Sequence, residues 1–180
     1  IDFGHTNYKI AFIENDNIIS FQKHSYNDRL IFDDLIAKIK SMECDKILCC
    51  NVLNESIINS IVSDFPQDMK NILKFFSSED CQKHITLAYN DNIKRLGVDR
   101  ALNLVGASTK TKNDLIVIDA GTATTIDYLD SSKNHIGGII LPGKNLIDNI
   151  FHEMLDFDFS EERLVADIFS KNTRSCIENG

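Results

Sequence analysis

Three short stretches place reactive side chains together. The first is Asp119-Ala120-Gly121-Thr122-Ala123-Thr124-Thr125, between the apolar run Leu115–Ile118 and the run Ile126–Leu129. It reads as strand, tight turn, strand. Gly121 permits a close backbone approach, and three threonines set hydroxyls beside turn N–H groups, which is how a loop holds phosphate. Asp119 offers a hard oxygen for a metal ion beside that phosphate. Alone, the stretch reads equally well as a hairpin turn with solvated threonines. The second stretch, Asp2-Phe3-Gly4-His5-Thr6-Asn7, lies 117 residues earlier and shares the acid, the glycine two positions on and a nearby threonine, again before a strand. A repeated phosphate-type turn carries more weight than either copy; two such turns facing each other form a clamp for a nucleotide's phosphates. The third stretch, Leu96-Gly97-Val98-Asp99-Arg100, opens a helical pattern. There Asp99 is suited to act as a base favoured by the helix dipole, and Arg100 to clamp a carboxylate or a phosphate. The alternative for this pair is a helix cap with an ion pair to Asp99 or another acid.

The elements that must position these residues recur in two halves. In the first, strands over 8–13 and 18–24 flank a polar turn, Glu14–Asn17, and suit a hairpin. Asn27 or Asp28 then caps a helix whose Leu30, Ile31, Leu35, Ile36 and Ile39 keep a 3.6 period. A buried strand over 46–52 follows, then a helix capped by Asn54 and ended by Pro66, then a strand over 72–76. Residues 81–89 suit a strand or a short helix. In the second half, strands over 115–119, 124–129 and 136–140, with Ser131–Asn134 as hairpin turn, precede a helix bearing Leu146, Ile147, Ile150, Phe151 and Met154. Residues 160–180 read as two helical pieces with a break near Asn172-Thr173. The fold class is therefore α/β, two similar βββαβα-type domains with a nucleotide cleft between them, 1–95 and 96–180. The chain opens on Ile within a strand-like segment and the second half lacks a match to the end of the first, so both termini read as incomplete.

Composition excludes several classes. A net charge of −8 over 180 residues, with a pI of about 5.0, disfavours nucleic acid as the main partner, because phosphate neutralisation needs clustered Lys and Arg. No apolar run reaches the roughly 18 residues of a membrane span. The five cysteines form no C-x-x-C pair and read as reduced thiols of a cytosolic protein, Cys49 and Cys50 acting as small hydrophobes. Gly137-Gly138 suits a close backbone approach at the cleft or tight sheet packing. Asp127 and Asp130 read as hairpin acids, and His24, His84, His135 and His152 lack metal-ligand spacing.

Taken in chain order, Ile1-Asp2-Phe3-Gly4-His5-Thr6, Leu96–Arg100, Asp119–Thr125, Gly137-Gly138-Ile139-Ile140-Leu141-Pro142-Gly143 and Asn172-Thr173 resemble the type III pantothenate kinases of the acetate and sugar kinase/heat-shock/actin superfamily. The resemblance covers nearly the whole chain. It implies an actin-like ATPase core and ATP-dependent phosphorylation of pantothenate to 4′-phosphopantothenate, the first step of coenzyme A synthesis, by a cytoplasmic homodimer using Mg²⁺ and either K⁺ or NH4⁺. Carried over by motif, Asp2, Phe3, Gly4, His5, Thr6, Asn7, Tyr8 and Lys9 form the first phosphate loop, and Thr122 contacts ATP. Asp119 holds the monovalent cation, which leaves Asp2 as the Mg²⁺ candidate. Gly97, Val98, Asp99 and Arg100 bind pantothenate with Asp99 as proton acceptor, and Tyr89 and Thr173 match substrate-contacting residues. The chain departs from the family at His5, where Asn is usual, and at Asn90-Asp91-Asn92, where an Asn-Pro pair is usual. The alternatives are another small-molecule kinase of the superfamily and a non-catalytic regulatory relative.

Overall fold

A computed structural model describes residues 1–26, 29–42, 44–89, 92–155, 169 and 171–179. The architecture is mixed α/β. Strands β1 (Asp2–Phe3), β2 (Asn7–Glu14) and β3 (Asn17–Ser25) lead into helix α1 (Arg29–Ser41), strand β4 (Ile47–Asn51), helices α2 (Glu55–Ser63) and α3 (Gln67–Ile72) and strand β5 (Leu73–Phe75). These strands make one sheet in the order β3-β2-β1-β4-β5, with β1 antiparallel to β2 and parallel to β4. The expected hairpin is present, with Asn15 and Asp16 at positive φ in its turn, a conformation Asn and Asp tolerate. The cap expected from Asn27 or Asp28 and the helix start expected near Ser160 lie outside the described residues. The cap expected from Asn54 is made, its Oδ1 accepting the Ile57 N–H at 3.0 Å. Pro66 does end α2, but it also opens α3, because its fixed φ suits a helix entry.

Beyond β5 come the short helix α4 (Ser78–Cys81), a 3-10 turn (Ile93–Arg95) and helix α5 (Val98–Ser108). In the ambiguous stretch 81–89, Cys81 ends α4 and the remainder is turn, bend and loop, joined at Thr86 to Asn134 by a single bridge. Strands β6 (Leu115–Ala120), β7 (Ala123–Leu129) and β8 (His135–Pro142) form a three-stranded sheet in the order β6-β7-β8, followed by α6 (Lys144–Leu155) and α7 (Thr173–Asn179). Residues 1–119 with 125–139 make one compact unit, and residues 120–124 with 140–180 another.

Two apolar clusters hold the first unit. One gathers Phe3, Tyr8, Ile10, Phe12 and Cys49 from the five-stranded sheet with Ile39, Ile58, Phe65 and Met69 from the helical segments. The other seats Ala101 and Leu104 of α5 on Leu96, Leu87, Ile85, Cys81 and Leu129. Ala101 and Leu104 lie three residues apart, so one face of α5 is sealed and the opposite face is left for chemistry. Among the described residues no helix is long and apolar enough to cross a membrane. Leu104 is fully buried, so Leu104→Ala should cost about 2–5 kcal/mol. Urea unfolding should show the unfolding free energy falling by that amount, whereas a change of a few tenths of a kcal/mol would contradict the packing described.

Candidate active site

The register of the five-stranded sheet fixes the first acid. β1 is only two residues long and sits between β2 and β4, with Asp2 opposite both Lys9 and Cys50. Neighbours in register share a sheet face, and the side chains meet accordingly. Lys9 Nζ lies 3.3 Å from Asp2 Oδ2, and the Cys50 thiol donates to Asp2 Oδ1 at 3.3 Å. The loop after β1 is a tight turn in which the Gly4 N–H donates to the Asn7 carbonyl at 3.1 Å, and the Tyr26 hydroxyl donates to the Gly4 carbonyl at 2.8 Å. Burial, then the Asp2 carboxylate, pushes the Tyr26 phenol up to about 12, so it remains a donor at neutral pH. His5 and Thr6 are exposed at the tip, while Phe3 and Tyr8 are buried in the core. Those last two support the loop from beneath.

Asp99 is the second residue of α5. Gly97, not Asp99, stands at the cap position, and Asp99 Oδ1 accepts the Arg100 backbone N–H at 2.8 Å. Its charge reaches the Asp2 neighbourhood. The Cys50 thiol is pushed up to about 12 by burial first, then by Asp2, and also by Asp99. Asp2 and Asp99 therefore act on one and the same thiol. One turn further along α5, Asn103 Nδ2 donates to Asp119 Oδ2 at 3.0 Å. Residues four apart share a helix face, so Asp99 and the Asp119-bound Asn103 lie on one side of α5.

Arg100 points elsewhere. It is 5% exposed and pairs not with Asp99 but with Asp127, whose exposure is 2%. Nε donates to Oδ2 at 2.9 Å and Nη2 to Oδ1 at 2.6 Å, a bidentate fork. Nη1 donates to the Tyr89 hydroxyl at 3.2 Å. These bonds, with Asp127 first, hold the guanidinium pKa above its already high ordinary value. His135 Nε2 lies 2.9 Å from Asp127 Oδ1, and since a carboxylate only accepts, Nε2 carries the hydrogen. The His135 and Tyr89 rings stack, 6.2 Å apart and 5° from parallel. Gly138 explains how the pair fits the sheet: a Cβ there would lie 2.6 Å from Arg100 Nη2 and closer still to Asp127 Oδ1. Breaking such a buried pair from one side costs about 3–5 kcal/mol.

In the second unit the Thr122 carbonyl accepts the Gly143 N–H at 3.1 Å, and a Cβ on Gly143 would collide with the Gly121 and Thr122 carbonyls. The Gly-Gly-x-x-x-Pro-Gly stretch thus ends on a glycine that the acid-Gly-Thr turn packs against. The Gly121 N–H is engaged inside its own turn by the Ala123 carbonyl, as that of Gly4 is by Asn7. Thr122 is exposed. Thr173 is the exposed first residue of α7, behind Asn172, whose Oδ1 accepts the Ser175 N–H at 2.9 Å.

In the first unit Asp2 meets Lys9 and Cys50, Asn103 of α5 binds Asp119, and buried Arg100 joins partly exposed Tyr89 to Asp127. Thr122 and Thr173 belong to the second unit. Asp127, His135, Cys50, Asn103 and Tyr26 escaped sequence reasoning. Asp130 is a hairpin acid as expected, accepting the Asn134 N–H at 2.7 Å. Asp127 is not: it lies on the buried face of β7 two residues before buried Leu129, and with Ile126 and Tyr128 on the other face the strand's alternation gave no signal for it. With its thiol raised to about 12, Cys50 should stay unmodified when the protein is treated with iodoacetamide near pH 8 while exposed Cys176 reacts. Mass-spectrometric mapping checks this, and equally fast labelling of Cys50 would contradict the burial and the carboxylate field.

A type III pantothenate kinase of Syntrophus aciditrophicus (strain SB) is 26% identical over 157 residues, 79% of this chain and 59% of the relative. The chain thus spans about three-fifths of the length of that relative. A crystal structure of a conserved Campylobacter jejuni protein, assigned to the Baf transcriptional-activator family, superposes with a TM-score of 0.58 at 22% identity. It covers 99% of this chain and 70% of its own, a likeness of fold. The family profile described as type III pantothenate kinase matches residues 1–180, and the chain belongs to that family.

Proposed function

We propose that this protein transfers the γ-phosphoryl group of ATP to the primary hydroxyl of pantothenate. The observation that supports the reading is α5, which carries Asp99 in its first turn and, one turn on, Asn103 bound to Asp119. Family membership supports the substrate.

Phosphoryl transfer asks the protein for positioning and charge compensation more than for covalent chemistry. In this reading Asp99 accepts the hydroxyl proton as the new O–P bond forms and the bond to the β-phosphate's bridging oxygen breaks, releasing ADP. Base catalysis of this kind contributes roughly 10²–10⁴-fold. The first loop, Asp2 to Lys9, and Thr122 bind ATP. Gly97, Val98, Asp99, Arg100, Tyr89 and Thr173 bind pantothenate. The duplicated acid-Gly-Thr turns support a two-domain actin-like arrangement, 1–95 and 96–180, and the family resemblance supports a cytoplasmic homodimer.

The donor set fits hard cations. Among the described residues no group of three His, Cys, Asp or Glu forms a metal cage, and Mg²⁺ in kinases needs none, since one carboxylate and the substrate phosphates suffice. Asp2 already holds a cation on one oxygen, the Lys9 ammonium, and is the residue for Mg²⁺, which neutralises phosphate charge. Asp119, with one oxygen bonded to Asn103, is the residue for K⁺ or NH4⁺.

The test is ADP release from ATP with and without pantothenate, in the presence and absence of potassium. Pantothenate-dependent turnover is expected, and its absence with the full-length protein would refute the reading. Asp99→Asn should lower kcat by about 10²-fold or more with an unchanged melting temperature, and near-normal turnover would remove Asp99 as the base.

A further inference from the structure

The buried cluster behind Arg100 has a direction. Asp127 is its centre, taking two bonds from Arg100 and one from His135. From that centre two arms reach the same residue, Tyr89. Arg100 Nη1 donates to the Tyr89 hydroxyl oxygen, and the His135 ring lies parallel to the Tyr89 ring. Tyr89 is thereby held at both ends, by its oxygen and by its face. Because the phenol oxygen accepts from Arg100, the hydroxyl's own hydrogen is left to donate. Tyr89 is also partly exposed, whereas Asp127, Arg100 and His135 are each 5% exposed or less.

The charge of the cluster agrees. Arg100 is matched by Asp127 in a side-on fork, so the guanidinium meets a ligand as an oriented hydrogen-bond donor with compensated charge. The fork uses Nε and Nη2, and the bond to Tyr89 uses Nη1. Of the five donors an arginine carries, one on each terminal nitrogen remains. Gly138 closes the arrangement from the sheet side, because a side chain there would displace both Arg100 Nη2 and Asp127.

We infer that Asp127 and His135 are positioning residues for pantothenate, acting through Arg100 to fix the Tyr89 hydroxyl as a hydrogen-bond donor to an oxygen of the substrate. The inference rests on the pantothenate kinase reading and deepens it. It separates the recognition of pantothenate from that of ATP, since none of these residues belongs to the phosphate turns.

The experiment measures KM for pantothenate and for ATP in full-length wild type, Tyr89→Phe, His135→Gln, His135→Phe and the Tyr89→Phe/His135→Phe double variant. His135→Gln keeps an N–H donor for Asp127; His135→Phe keeps only a ring. Tyr89→Phe and His135→Phe should each raise the pantothenate KM about three- to tenfold, the weight of one lost hydrogen bond, with the ATP KM unchanged. His135→Gln should stay close to wild type. The double variant should be no worse than Tyr89→Phe alone, because His135 acts through that hydroxyl. The inference is overturned if Tyr89→Phe leaves the pantothenate KM unchanged, if Gln and Phe at position 135 behave alike, if both KM values rise together, or if the two single effects multiply. Should His135→Phe not fold, Gly138→Ala presses on the same pair from the sheet side and carries the same expectation. A wild-type protein that neither binds pantothenate in calorimetry nor turns it over overturns the functional reading and this inference with it. A wild-type protein that does both, beside variants with unchanged pantothenate KM, overturns the inference alone.

Discussion

The buried fork between Arg100 and Asp127 is the constraint on which the rest of the first unit depends. A guanidinium and a carboxylate out of water are tolerable only with most of their hydrogen-bonding capacity met, and the neighbours are those that meet it. Tyr89 and His135 add to the bonding, and Gly138 gives up its side chain so the pair can lie against β8. Since Arg100 is in the first turn of α5, anchoring its side chain also anchors the helix start. Asp99, one residue before, is thereby fixed in that first turn, its carboxylate accepting the Arg100 backbone N–H.

A second constraint is the sheet register. A strand of two residues supplies almost no packing of its own, yet β1 lies between β2 and β4 and its backbone is paired on both edges. This makes Asp2 a rigid point flanked by Lys9 and Cys50 rather than a loop residue. Rigid acids on two elements, with neutral thiol and amide donors between and beside them, suit a reaction in which positioning matters more than covalent participation.

Much of this was legible in the sequence, for physical reasons. The hairpin showed itself through alternation and turn residues, the Asn54 cap through its side-chain chemistry, and the acid-Gly-Thr turns through their repetition. The sequence was silent where two strand faces are both apolar. In β6, Ile116 and Ile118 are exposed and Val117 and Asp119 lie on the inner side; in β7, Ile126 and Tyr128 compete with Asp127 and Leu129 for the interior. An apolar-inward rule chooses the wrong face and leaves Asp127 in solvent. His135 was likewise unreadable, because its partner is eight residues away across a hairpin and its stacking partner Tyr89 comes from a chain segment with no periodicity. Arg100 was read as an anion clamp or as the partner of an acid; the partner is an acid, but a buried one on a strand.

The most direct test of the account is a crystal structure of the protein with pantothenate bound. The account predicts the primary hydroxyl of the substrate within hydrogen-bond distance of the Asp99 carboxylate, the Tyr89 hydroxyl donating to another substrate oxygen, and the Arg100–Asp127 fork intact beneath. Pantothenate bound away from Asp99, or a fork that opens so that Arg100 swings out onto the ligand, would contradict it.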